Sequence, residues 1–247
     1  MLLVILVAVT LLAPGPTMAQ DAPVPGVFAL RAMLQDKDPE IRIKAAQGLG
    51  RVGGRESVII LRKGLSDKEL SVKIQVIKAL GFIGGRLALT VLSEALKDKS
   101  PEVRREAVAA LKDAGMVSSI PILQKAFGDK EESVRLQAAL MLRQIGHRST
   151  VPVLGRVAVG DKSPAVRAAA AEYLGKVGVK NRKAVALLEQ VLEDREPAVR
   201  IRAVESLGFL QLREAIPVLE QALEDRDSGV RIRATEVIGH VLAKDFQ

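Results

Sequence analysis

The chain has 247 residues, 48% of them apolar and only 2% aromatic, so its core is built from Leu, Ile, Val and Ala, and a site that grips bases or sugars by stacking is excluded. There are 37 Lys+Arg against 29 Asp+Glu, a formal charge of +8, and no cysteine, which excludes disulfides, thiolate metal sites and cysteine nucleophiles. The charge is uneven: residues 182–247 hold 10 basic and 12 acidic side chains, so the excess lies in the first 181 residues and favours acidic partners.

Leu2 to Ala13 is an almost unbroken apolar run, too short for the ~20 residues that cross a bilayer as a helix. Pro14, Gly15 and Pro16 end it, and small residues then precede a cut after Ala19. This pattern predicts a signal peptide over 1–19, although no Lys or Arg precedes the apolar run. The expected location is secreted or periplasmic, with an uncleaved membrane anchor as the alternative, and no transmembrane span is expected after cleavage. Residues 20–26, with Pro23 and Pro25, read as an extended leader.

From residue 27 one phrase recurs seven times, as an aspartate, a basic residue six positions on, and a small-residue stretch that mostly ends in Leu-Gly. The pairs are Asp36 and Arg42, Asp67 and Lys73, Asp98 and Arg104, Asp129 and Arg135, Asp161 and Arg167, Asp194 and Arg200, and Asp225 and Arg231. A period of 31–33 residues means stacked units rather than one globular core. The expected repeats run over 27–54, 57–85, 88–116, 119–147, 150–179, 183–211 and 214–243.

The third copy shows how a unit folds. Val91, Leu92, Ala95 and Leu96 give one helix an apolar face. After Asp98, Ser100 sits at an N-cap position with Pro101 and Glu102 behind it, which starts a second helix over 101–112. Gly53, Gly84, Gly115, Gly146 and Gly178 stand where a left-handed residue ends that helix. Leu49, Leu80, Leu111, Leu142, Leu174, Leu207 and Ile238 share one buried register position.

With Val-Pro-x-Leu, Leu-x-Asp, Val-Arg-x-x-Ala and Leu-Gly in phase across residues 27–243, the chain resembles HEAT-repeat proteins, in particular the short HEAT-like type of the phycobilisome lyases. The resemblance implies a right-handed α-solenoid with the second helices on its concave face. It also implies that the Asp and Arg/Lys pairs form a structural ladder along the stack, since the planar guanidinium can bond two acceptors at once.

Partner-binding candidates are the positions the phrase leaves free. On the wet face of the second helices these are Lys44, Arg51, Lys78, Phe82, Arg202 and Phe209. The two phenylalanines are expected to lean on a neighbouring repeat; the alternative is that they anchor a partner. A second stripe, just past the second helices, comprises Arg55, Arg86, Arg148, Lys180 and Arg213, with Val117 in the third copy and Lys244 in the last. It is explained by the helix dipole or by a basic ridge.

His147 and His240 lie far apart in sequence, without partners for a metal site or a triad, and no Gly-rich loop has phosphate-binding context. No catalytic residue, cofactor or metal is expected. The function expected is a non-enzymatic scaffold for another, possibly acidic, protein in the cell envelope or outside the cell. The alternatives are a lyase-like HEAT enzyme or assembly factor, or an anionic polymer bound by the basic edge. Nucleic acid is not an expected partner, and end-to-end self-association is left open.

Overall fold

The computed structural model describes residues 25–244, which include no strand. The signal-peptide segment lies outside the described residues. The leader does not extend to residue 26, because Pro25 and Gly26 form the start of α1 (Pro25–Met33). Proline costs nothing in a first helical turn, where its missing N–H has no intrahelical partner.

The chain then alternates second helices with the first helices of following repeats. The second helices are α2 (Pro39–Val52), α4 (Leu70–Ile83), α6 (Pro101–Gly115), α8 (Glu132–Ile145), α10 (Pro164–Val177), α12 (Pro197–Phe209) and α14 (Ser228–Lys244). Between them come α3 (Gly54–Gly64), α5 (Gly85–Ala95), α7 (Ile120–Ala126), α9 (Val151–Gly160), α11 (Arg182–Val191) and α13 (Ile216–Gln221). Each second helix packs on the second helix of the next repeat, and the substantial contacts are all between elements close in sequence. The architecture is an all-α solenoid.

Local chemistry sets the turns. Ser100 and Ser163 cap α6 and α10 by accepting the N–H of Val103 and Val166 at 3.3 and 3.4 Å. Glu69, Glu131 and Glu196 hold the same position on α4, α8 and α12 but make no side-chain cap. The Asp two residues earlier accepts the Glu N–H there, each at 2.9 Å, as it does the Ser N–H in the capped repeats. The stop glycines divide: Gly53, Gly84 and Gly146 have φ of 69°, 67° and 63°, whereas Gly115 and Gly178 do not enter the left-handed region. In those two turns it is Met116 (φ 40°) and Lys180 (φ 57°) that do.

The core runs the length of the stack. Leu49, Leu80, Leu111, Leu142 and Leu174 are fully buried and Leu207 is 1% exposed, but Ile238 is only partly buried, since among the described residues α14 packs on α12 and nothing packs on its other side. Gly50, Gly81, Gly175 and Gly208 follow that register position, and a Cβ on any of them would touch the next repeat's second helix. Small residues there let neighbouring backbones approach. Among the described residues no helix is long and apolar enough to cross a membrane.

Candidate functional site

The Asp and basic residues of the repeated phrase meet between repeats rather than within one. Arg42 donates from Nε and Nη2 to the Asp67 carboxylate of the next repeat at 2.7 and 2.9 Å. Its Nη1 donates to the backbone carbonyls of Asp36 and Lys37 in its own turn, at 2.8 and 3.1 Å. Arg104, Arg135 and Arg200 repeat this with Asp129, Asp161 and Asp225, and Arg167 does so with Asp194 while holding one carbonyl of its own turn, that of Asp161. Lys73 reaches Asp98 with a single 2.7 Å bond.

Each Asp has a second task, accepting the N–H two residues on, as Asp98 does from Ser100 at 2.8 Å. Burial pushes the Asp67, Asp98, Asp129 and Asp194 carboxyls up, but their basic partners and backbone donors outweigh it and hold them below the usual carboxylate range. For Asp225 the Arg200 bonds are the largest influence, with the same result. The ladder is buried and internally satisfied, so it holds repeats together and presents little to a partner. Its ends are open: among the described residues Asp36 meets no basic side chain, and Arg231 holds only the Asp225 carbonyl, at 2.7 Å.

A groove of about 760 Å³ lies between the second helices α10, α12 and α14. Gly208 admits Val237 from α14, and Val237, Val241 and Leu212 give the groove an apolar floor. Phe209 stands on its wall, 53% exposed, while the adjacent Leu210 is fully buried in the core. Charged residues form the rim. Glu205 accepts from Arg202 at 2.8 Å and from Arg233 at 2.5 Å, and Arg233 also donates to Glu236 at 2.7 Å. Burial raises the Glu205 carboxyl, but the two arginines outweigh it and keep it ionised. Lys176, paired with Glu172 at 2.5 Å, and His240 complete that rim.

Of the partner-binding candidates, Arg202, Phe209 and Arg213 line this groove. Lys44 and Arg51 on α2, and Lys78 and Phe82 on α4, are exposed on earlier repeats and do not. Phe82 and Phe209 do not lean into a neighbouring repeat: they are 76% and 53% exposed. The second helix of each following repeat packs along the stack, beside these rings rather than over them. Arg55, Arg86, Arg148 and Lys180 are exposed at successive junctions between second and first helices. Glu205, which ties Arg202 to Arg233, was not among the candidates. The signal was the shared register of Arg202, Glu205 and Phe209 with Arg233, Glu236 and His240 one repeat on. Among the described residues no three His, Asp or Glu side chains are grouped to hold a metal.

Stacked helical hairpins joined by an internal Asp–Arg ladder define an α-solenoid scaffold. The chain belongs to the HEAT-repeat family, whose model matches residues 27–112, 64–142, 89–159, 120–192 and 157–239. Comparison with curated proteins gives no match. Among solved structures the chain is similar to the CpcE–CpcF complex of phycocyanin lyase from Nostoc sp. PCC7120, at 21% identity and a TM-score of 0.47, covering 93% of this chain and 99% of that one. It is similar to human deoxyhypusine hydroxylase in complex with glycerol, at 21% identity and a TM-score of 0.42, covering 87% and 96%. An engineered protein gives 21% identity and a TM-score of 0.49, covering 88% and 68%. These likenesses concern the fold alone.

Proposed function

We propose that this chain is a non-enzymatic scaffold that holds a segment of another protein in the concave groove of its last three repeats. HEAT repeats generally mediate protein interactions. The observation that carries the reading is Phe209, a large aromatic ring left half in water on the wall of an apolar-floored groove. Such a ring gains most when a partner side chain covers it, and interface energy concentrates at anchors of this kind. The rim adds selectivity. Arg202 and Arg233 are already matched by Glu205 and Glu236, whereas His240 donates or accepts according to its partner. The fitting segment is amphipathic, with an apolar side chain for Phe209 and Val237 and polar groups of both signs for the paired charges of the rim.

The location we infer is the cell envelope or the exterior, on the pattern of Leu2–Ala13 and the small residues before Gln20. The test is affinity capture from the envelope fraction of the native cell, with wild type and Phe209→Ala side by side. A protein retained by wild type and lost from Phe209→Ala, at equal thermal stability, supports the reading. Equal retention by both overturns the groove as the site.

A further inference from the structure

The two long edges of the solenoid differ in chemistry. One carries the Leu-x-Asp turns and the ladder, where carboxylates outnumber cations. The other carries the junctions from each second helix to the following first helix. At the first junction, Val52 (45% exposed) stands beside exposed Arg55; at the next, Leu87 (40%) follows exposed Arg86. The third has Met116 (58%) and Val117 (44%) where the basic residue is missing. Exposed Arg148 occupies the fourth, and Val179 (44%) with exposed Lys180 the fifth.

We propose that this junction edge docks on an anionic lipid surface. The cations on it are not consumed locally: Arg55, Arg86, Arg148 and Lys180 make no ion pair among the described residues. Glu56, Asp113 and Glu214 are the exposed carboxylates nearby, and Glu214 is held by Arg182. Positive side chains alone would suit any polyanion. The exposed Val, Leu and Met residues between them are what a polyanion would leave wet. A bilayer interface takes both, with phosphates at the height of the guanidinium groups and acyl chains just below. The edge is also a row of turn tips, which meets a flat surface more readily than the concave pocket a protein partner offers. Equivalent positions recur once per repeat, so the contact is a line of weak sites whose effects multiply.

The test uses the full chain and sedimentation with vesicles of pure phosphatidylcholine or with one-third phosphatidylglycerol. The variants are Arg86→Glu/Arg148→Glu/Lys180→Glu and Leu87→Ser/Val117→Ser/Val179→Ser, both at exposed positions, with the residues before the solenoid unchanged. The expected result is wild-type binding that rises with phosphatidylglycerol and falls with salt. It should weaken at least tenfold in the charge variant and several-fold in the apolar one. Equal partition of wild type and both variants overturns the proposal. So does binding to heparin, and not to vesicles, that the apolar variant retains, since the ligand is then a soluble polyanion. Phe209→Ala leaves vesicle binding unchanged, which separates this outcome from that of the groove.

Discussion

The Arg135 guanidinium and the Asp161 carboxylate meet 2.9 Å apart across the joint between the fourth and fifth repeats, with 2% and 5% of their side chains exposed. The same guanidinium holds the Asp129 and Lys130 carbonyls of its own turn, at 2.9 and 3.1 Å. One side chain thus fixes a turn and fastens that turn to its neighbour.

Arg135→Ala leaves a buried carboxylate and two carbonyls without their donor. Removing one partner of a buried pair costs about 3–5 kcal/mol. Lys130→Ala, in the same turn but exposed, should change stability by less than about 0.5 kcal/mol. Urea unfolding of the two variants checks this, and equal midpoints would refute a structural ladder.

Lys73 is the single lysine among the inter-repeat rungs, and its side chain is 21% exposed where the arginines are 2–7%. Lys73→Arg should add a second bond to Asp98 and reach the carbonyls of its own turn. A gain of about 0.5–1.5 kcal/mol is expected for one or two such bonds. A lower melting temperature for Lys73→Arg would count against the uniform geometry of the joints.

Acid should loosen the stack before it affects the apolar core. Asp67, Asp98, Asp129, Asp194 and Asp225 have carboxyls depressed in the folded chain from an ordinary value of 3.8. A depressed folded value means that the unfolded chain takes up protons first as pH falls. The ladder's contribution is therefore complete above about pH 5 and is lost as pH falls through 4 and below. Thermal melts from pH 7 to pH 3 should fall steeply only in the acid part. The Asp98→Asn variant should show a shallower fall, and an unchanged slope would reject the assignment.

The glycine after the buried leucine should respond with opposite sign in different repeats. A Cβ at Gly175 would lie 2.6 Å from the Ser206 Cβ and 2.8 Å from its Cα, so Gly175→Ala should cost about 1–3 kcal/mol. Gly239 holds the same register in α14, and a Cβ there meets nothing within 4 Å. Gly239→Ala should gain roughly 0.5–1 kcal/mol from helix propensity. A matching pair of changes would mean that α14 is covered.

Much of this was legible in the sequence because a repeat states each instruction several times. The period, the Ser and Pro starts of α6 and α10, and the spacing of the Asp and Arg positions all belong to local chemistry. Which carboxylate each arginine holds was not legible, since the partner 25–27 residues on is set by how repeats stack. The spacing placed Phe82 and Phe209 on the wet face; the expectation that these apolar rings lean on a neighbouring repeat was the part that failed, because it depends on the same stacking. At the third and fifth junctions the left-handed residue falls one place after Gly115 and two after Gly178, a shift the glycine rule did not reveal. The groove was half visible: its rim follows a register, but its floor depends on Gly208 bringing Val237 close.

The open rungs at Asp36 and Arg231 set where melting starts. Every inner hairpin is fastened on both sides, whereas the two end hairpins of the described stack are fastened on one, so amide exchange should be faster than in the inner second helices both in α2 and at the α14 end. That end carries the groove. A segment seated against Phe209 and Val237 would clip the loose terminal hairpin to the one before it, so occupancy and the length of the folded rod would rise together.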